Sequence, residues 1–306
     1  MTIRQEASPV TADLPKHERR FYSRTAAFGR FGLRQFTPQV MDMPHWHGHV
    51  ECNFCEAAEM VYDFNGTRIS VPPETFVLFW AGVPHQLLEV NQRGAARPRL
   101  SNIYLPADMF LLMPHIAQLQ LLLMSAAFVR AAPALVGIAQ LDRWYADYRS
   151  GEFERTEVVK MELNALFRRM LLYPLTLLHA PGVEGDSGVR QLSSAHIRQV
   201  VDMTRFILEN LERPIHNADV AAVIGFHENY ATSLFSRVMR MPIKKFVIRM
   251  RLMRARALLI ESTLPIAQVA EEAGFSSLTQ FYAHFARAYG MSPASVRVHY
   301  VQKELR

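Results

Sequence analysis

The chain has 306 residues, a length suited to two domains; 50% are hydrophobic and 20% charged, so a normal core is attainable and wholesale disorder is excluded. The formal charge of +6 is unevenly placed: Arg190 to Arg306 carries 16 Lys and Arg against 9 Asp and Glu, whereas the first 189 residues carry 18 against 19. A polyanionic partner is therefore expected for the C-terminal third alone. Two cysteines, Cys52 and Cys55, exclude a disulfide scaffold, and with no apolar leader pattern in the charged first 30 residues they predict a cytoplasmic protein. No membrane span is expected, because the most apolar stretch, Leu111 to Leu141, is broken by His115, Gln118, Gln120, Arg130 and Pro133.

Residues 1–27 read as an N-terminal arm. From 28 to 105 short alternating runs with turn punctuation predict an all-β barrel or sandwich. Val61 to Phe64 leads into Asn65-Gly66, a strong hairpin dipeptide, and Thr67 to Val71 follows. Pro72-Pro73-Glu74 is a further turn before the buried-strand run Thr75 to Trp80.

The unusual segment here is His45-Trp-His-Gly-His-Val-Glu51. As a strand it would set His45, His47, His49 and Glu51 on one face and Trp46, Gly48, Val50 and Cys52 on the other. With the later His85, the H-x-H-x3-E spacing resembles a cupin metal site. Three readings are open: a metal centre of Fe, Mn or Zn doing chemistry; inward groups binding a polar effector beside Trp46, Phe79 and Trp80; or structural or exposed histidines. Cys52-Asn-Phe-Cys55 would point its sulfurs to opposite faces of a strand, against a shared metal or disulfide.

From 106 to 180 Leu, Met and Ala recur at helical spacing (Leu163, Leu166, Phe167, Met170, Leu171), predicting helices that pack on the β domain or form a subunit interface. Residues 181–192, rich in Gly with Pro and two acids, read as a linker. Residues 193–306 read as all helix.

That last region is duplicated. Val220-Ala221 precedes Gly225-Phe226 as Val269-Ala270 precedes Gly274-Phe275, and each copy continues to an aromatic anchor, Phe235 or Phe285, and a break, Met241-Pro242 or Met291-Ser-Pro293. Two helix-turn-helix units account for the pattern: a small residue at the helix crossing, a Gly tolerant of positive φ in the turn, and an apolar stripe that docks the second helix. Ser276 is the expected N-cap of the second copy, with His227 at the equivalent place in the first. Pro242 to Ser262 predicts one long helix with an apolar stripe (Phe246, Met250, Met253, Ala257, Ile260) and an exposed basic face (Lys244, Lys245, Arg249, Arg251, Arg254, Arg256). Such a strut would hold two recognition helices about 34 Å apart, one duplex turn.

The segment from about Ser193 to Tyr300 resembles the AraC-type DNA-binding domain, most closely in Leu264-Pro-Ile-Ala-Gln-Val-Ala-Glu-Glu-Ala-Gly-Phe-Ser-Ser277, Phe281, Phe285 and Gly290-Met-Ser-Pro293. The first copy departs from it at Arg240, where Gly is usual. Pro44-His-Trp-His-Gly48, Val50-Glu51, Leu78-Phe-Trp-Ala81, Pro84-His-Gln-Leu87, Asn229-Tyr-Ala231 and Arg237-Val-Met239 are similar to a sugar-operon member of that family.

Facing places Asn229, Thr232, Ser233 and Ser236 of the first recognition helix toward DNA, with Arg237 at the phosphate edge. In the second it places Ser277, Leu278, Thr279 and Tyr282, with Gln280 at the margin. The resemblance implies an α+β two-domain chain: a cupin-like barrel with a helical dimerisation segment, then the double helix-turn-helix. It implies a regulator, an activator, that binds double-stranded promoter DNA, a small-molecule effector such as an α-galactoside, and RNA polymerase, as a homodimer. His45, Trp46, His47, Glu51, Trp80 and His85 would form the effector site, with no cofactor, no resident metal, no catalytic residue and no membrane partner. The rival is a cupin metalloenzyme, a dioxygenase or isomerase, with an accessory helical domain.

Overall fold

The computed structural model describes residues 30–180, 194–239 and 241–302; the expected arm, the linker and Arg240 lie outside them. The N-terminal part begins with seven strands: β1 (Gly32–Phe36), β2 (His49–Glu56), β3 (Ala58–Phe64), β4 (Thr67–Val71), β5 (Val77–Trp80), β6 (His85–Gln92) and β7 (Arg99–Pro106). Asn65 and Gly66 both take positive φ, 54° and 80°, the geometry of the two-residue turn that matches strand twist, and Gly66 N–H donates to Asp63 Oδ1 at 2.9 Å.

Between residues 106 and 180 lie α1 (Ala107–Leu112), α2 (Ala117–Met124), α3 (Ile138–Arg149) and α4 (Phe153–Met170). The all-helical expectation for this stretch needs correction, because two short strands, β8 (Phe128–Arg130) and β9 (Thr176–His179), return to the sheet. β8 pairs with β5 and β9 with β8, giving a six-stranded antiparallel sheet of order β1-β7-β2-β5-β8-β9. The other three strands form a separate sheet, β4-β3-β6. The expected barrel is corrected likewise: among the described residues no continuous ladder closes the two sheets, and the single bridge His45–His85 approaches that closure. The sandwich alternative holds.

β2 sits between β5 and β7 and is sealed on both faces. Its polar file, His49, Glu51 and Asn53, alternates with the apolar file Val50, Cys52 and Phe54, and both are buried. A polar cluster inside the molecule follows directly from that alternation.

The C-terminal part is helical: α5 (Ser194–Glu209), α6 (Asn217–Val223), α7 (Glu228–Met239), α8 (Ile243–Glu261), α9 (Ile266–Glu272), α10 (Leu278–Tyr289) and α11 (Pro293–Gln302). Helices α6–α7 and α9–α10 are the two repeat copies. Ala221 and Ala270 are buried at the crossings, and Gly225 and Gly274 take φ of 68° and 92°. The N-cap of α10 is Ser277 rather than Ser276; its hydroxyl accepts from Gln280 N–H at 3.3 Å. In the first copy His227 Nδ1 accepts from Asn229 N–H at 3.3 Å.

The long helix α8 is not the solvated strut that its charges suggested. Lys244 and Lys245 are exposed, but Arg249, Arg251 and Arg254 are partly buried and Arg256 is only 5% exposed. Their guanidinium groups find protein acceptors: Arg251 donates to Leu211 O (2.9 Å) and Arg213 O (2.7 Å), and Arg254 pairs with Glu212. A long aliphatic stem with a planar donor fork can be buried where its carbonyl partners are fixed.

Packing crosses the boundary between the parts. One apolar core runs from the sheets through α1–α4 into α5, the first helix-turn-helix and the first half of α8. The second unit has its own core around Leu252, Leu259, Val269, Phe281, Phe285 and Val296. Gly82 lets the two parts approach: a Cβ there would lie 2.2 Å from the Trp80 ring and 2.6 Å from Met253 Cε. Above it, Arg249 hydrogen-bonds Gly82 O and stacks its guanidinium 4.8 Å from the Trp80 ring centroid. Trp46 stacks on Tyr289 of α10 with centroids 4.5 Å apart and rings inclined by 6°. Ser125 donates to Val238 O at 3.2 Å and Arg205 to Leu111 O at 3.0 Å. No helix among the described residues is long and apolar enough to cross a membrane.

Gly225→Ala should cost about 1 kcal/mol, since only the positive φ opposes a methyl there. Gly274→Ala should cost more than about 2 kcal/mol in urea unfolding, because its Cβ would also lie 1.9 Å from Leu211 O. A double-mutant cycle of Trp46→Ala and Tyr289→Ala should return a coupling of about 0.5–1.5 kcal/mol, the worth of a stacked pair beyond its area.

Candidate functional site

Two surfaces carry chemistry. The first is the outer face of the recognition helices. In α7, Ala231, Leu234, Phe235, Val238 and Met239 are buried, which turns Asn229, Ser233 and Arg237 to solvent and leaves Thr232 and Ser236 half-buried. Thr232 Oγ1 donates back to Glu228 O (2.9 Å) and Asn229 O (3.2 Å), so its hydroxyl is held against the helix with its lone pairs outward. In α10, Phe281 and Phe285 dock, Leu278, Thr279, Gln280 and Tyr282 are exposed, and Ser277 is half-buried at the cap. Gln280, placed at the margin by facing, is fully on the open side. Tyr230 is also exposed and packs on Phe226 with centroids 4.7 Å apart. These helices present side chains of the kinds that read base edges or meet phosphate, with Arg237 and Arg287 exposed toward their ends.

The second is the interior polar cluster. His45, His47, Glu51 and His85 come together, their ligand-capable atoms all within 4.8 Å of one another. His47 Nε2 lies 2.8 Å from Glu51 Oε1 and His85 Nε2 lies 3.7 Å from the same oxygen. Asn53 and Asn102 each donate to Glu51 Oε2 at 3.2 Å. The regular strand begins only at His49, so His45 and His47 arrive on the extended segment before it, tied down by His45–His85 backbone bonds and by His47 N–H to Ala81 O at 2.8 Å. His49 shares the face but binds His47 Nδ1 (3.0 Å) and Arg30 O (3.2 Å) rather than joining the four.

Burial outweighs the carboxylate and pulls His47 down, and burial with the neighbouring histidines pulls His45 well below its ordinary value. Burial pushes Glu51 up, but the His47 hydrogen bond and the adjacent imidazoles overcome it and hold the carboxyl well below the usual range. Glu51 is therefore biased toward the carboxylate and His45 and His47 toward the neutral imidazole, an arrangement able to accept hydrogen bonds from hydroxyls or to ligate a cation.

Trp46 and Trp80 do not line that cluster as free faces. Trp80 is fully buried beneath Arg249, and Trp46 is half-buried against Tyr289, so both aromatic members of the expected site are engaged by the helix-turn-helix part. Sequence reasoning missed Asn53, Asn102, Tyr104 and Arg256. Asn53 follows Glu51 at strand spacing and was available from alternation; Asn102 and Tyr104 arrive through the β2–β7 register, opposite Asn53 and Glu51, which no local pattern encodes. Arg256 comes from α8, and its charge acts on His45 and His47. Cys52 and Cys55 are free thiols, both buried, with burial raising Cys52 and raising Cys55 to about 11.

Residues 220–299 match the model of a helix-turn-helix domain family. Over 279 residues the chain is 27% identical to the melibiose operon regulatory protein of Escherichia coli strain K12, spanning 88% of each chain. It is 34% identical over 94 residues to the probable transcriptional regulator LumQ of Photobacterium leiognathi, covering 31% of this chain and 38% of that one. In three dimensions it is similar to unsaturated fatty acid-bound ToxT of Vibrio cholerae strain SCE256, with a TM-score of 0.54 over 89% of this chain and 96% of that one; at 11% identity the likeness is one of fold. The duplicated units, their open helix faces and the length of the match to the melibiose operon regulator converge: the chain carries a helix-turn-helix DNA-binding domain of the AraC type and is similar to a transcriptional regulator along most of its length.

Proposed function

We propose that this regulator is a cytoplasmic, ligand-controlled activator that reads promoter DNA through α7 and α10 and responds to a small molecule bound near His45, His47, Glu51 and His85. The observation that carries the DNA-reading half is the pair of matched units whose second helices bury one stripe and leave Asn229, Thr232, Ser233, Ser236 and Arg237, and Ser277, Leu278, Thr279, Gln280 and Tyr282, on the other side. The ligand half is supported by a sealed polar cluster that abuts α8, the helix joining both units. A ligand with different affinity for the docked and undocked arrangements shifts the balance between them. The name of the melibiose operon relative favours an α-galactoside as effector.

Homodimerisation is supported by α4, where Val158, Met161 and Ala165 form an exposed small-to-apolar stripe at three- and four-residue spacing, extended by Leu172 beyond the helix end. RNA polymerase is the partner that activation requires.

In gel-shift titrations the chain should select a specific duplex, with affinity falling steeply as salt rises. Thr232→Ala should change base preference at one position by about 1–3 kcal/mol while leaving stability within roughly 0.5 kcal/mol. An unchanged preference at every position would show that α7 faces elsewhere. Phe285→Ala should cost about 3–5 kcal/mol and abolish specific binding by melting the second unit. Met161→Glu should convert a dimer to a monomer in analytical ultracentrifugation; an unchanged sedimentation coefficient removes α4 as the interface. Thermal-shift screening of the full chain with α-galactosides tests the effector class, and no stabilisation by any of them would reject it.

A further inference from the structure

The hydrogen bonds around the histidines leave two buried ring nitrogens without partners. His49 bridges Arg30 O (3.2 Å) and His47 Nδ1 (3.0 Å) and so fixes the His47 ring. His47 Nε2 lies 2.8 Å from Glu51 Oε1, where its N–H donates to the carboxylate. His85 Nδ1 donates to Val83 O at 2.9 Å, which turns Nε2 inward, where it is buried without a hydrogen-bond partner 3.7 Å from Glu51 Oε1. His45 Nδ1 is buried without a partner as well. Asn53 and Asn102 occupy Glu51 Oε2 and turn Oε1 toward the three rings. The His47–Glu51 hydrogen bond leaves the other two nitrogens unsatisfied. One cation among the four would engage both of them together with the carboxylate.

We propose that His45, His47, Glu51 and His85 bind a single divalent transition-metal ion, and that loading it loosens α8 and α10 from the β-rich part. Three imidazoles and one carboxylate suit Mn, Fe, Co, Ni or Zn in the divalent state. Ligands about 2.1 Å from such an ion stand roughly 3–4.3 Å apart, so the present span closes on it with a contraction of about half an ångström. Asn53, Asn102 and Val83 supply the outer hydrogen bonds that orient a carboxylate and a ring.

The regulatory half rests on the ligand-controlled reading above. Arg256, buried on α8, already sets a positive charge against His45 and His47. Two further positive charges beside it oppose the docked position of that helix. Drawing His45 and His47 toward an ion also moves Trp46, which lies between them in sequence and stacks on Tyr289. Metal affinity and docking are then reciprocal: whatever loosens α8 tightens the metal.

The experiment uses the full chain, stripped with chelator and titrated with Co(II). One equivalent should bind with the intense visible bands of nitrogen-ligated cobalt. Glu51→Gln and His85→Gln should each weaken binding by about tenfold or more, and Arg256→Met should tighten it. Circular dichroism checks that each variant is folded; should either of the first two unfold, the wild-type stoichiometry and the Arg256→Met shift decide alone. Zn(II) loading should raise hydrogen exchange across Phe246 to Leu259. Absence of saturable binding, or equal affinity in the folded Glu51 and His85 variants, overturns the metal site. Bound Zn(II) with unchanged exchange overturns the coupling. Specific DNA binding by the metal-free chain, measured alongside, is the separate test of the regulator reading.

Discussion

A helix shared between cores constrains everything around it. The 19 residues of α8 place Phe246, Met250 and Met253 in the core that continues into the sheets, and Leu252, Ala255, Leu258 and Leu259 in the core of the second unit. Its arginines fill the remaining sides, against Trp80, against the carbonyls of Leu211 and Arg213, and near the histidine cluster. A helix apolar or engaged all round has no free face on which to slide. Displacing it from any one neighbour disturbs the rest, so the β-rich part and the two helix-turn-helix units are mechanically linked through α8.

The use of arginine at these contacts has an energetic logic. A buried ammonium needs three acceptors around a point charge, whereas a guanidinium lies flat on an indole and satisfies its edge with one or two carbonyls. Arg249 does this on Trp80 and Gly82, and burial draws its guanidinium down only to about 10, so it stays charged at neutral pH. The contact is directional and modest in strength. The first helix-turn-helix is joined to the β-rich part by a continuous apolar core; the second is held there through α8 and the Trp46–Tyr289 stack.

Legibility in the sequence followed the range of the forces involved. The duplicated Ala, Gly and Phe positions were readable because crossing, turn and docking stripe are local demands repeated at fixed spacing, and Gly225 and Gly274 take the positive φ inferred for them. The Asn65-Gly66 hairpin was readable for the same reason. β8 and β9, of three and four residues, are too short to show a period, and only pairing with β5 makes them strands. Whether the sheets close into a barrel depends on register between distant strands, and the local pattern left barrel and sandwich open. The cluster was partly legible: alternation put His45, His47 and Glu51 on one side and spacing suggested His85, but Asn102 and Arg256 arrive from 51 and 205 residues beyond Glu51. The basic face of α8 misled because a helical wheel assigns charge to solvent and has no term for a carbonyl waiting on another helix.

Leu211 O receives the Arg251 guanidinium and also sits directly against the α-carbon of Gly274. The segment between α5 and α6 therefore touches the turn of the second unit at a place where only hydrogen fits. The angular phase between the two reading heads is set by this missing methyl as well as by the rod between them. A larger atom at that junction would push the turn of the second unit away from the α5–α6 segment and tilt α10 relative to α7, so the relative aim of the two helices depends partly on the smallest residue of the chain.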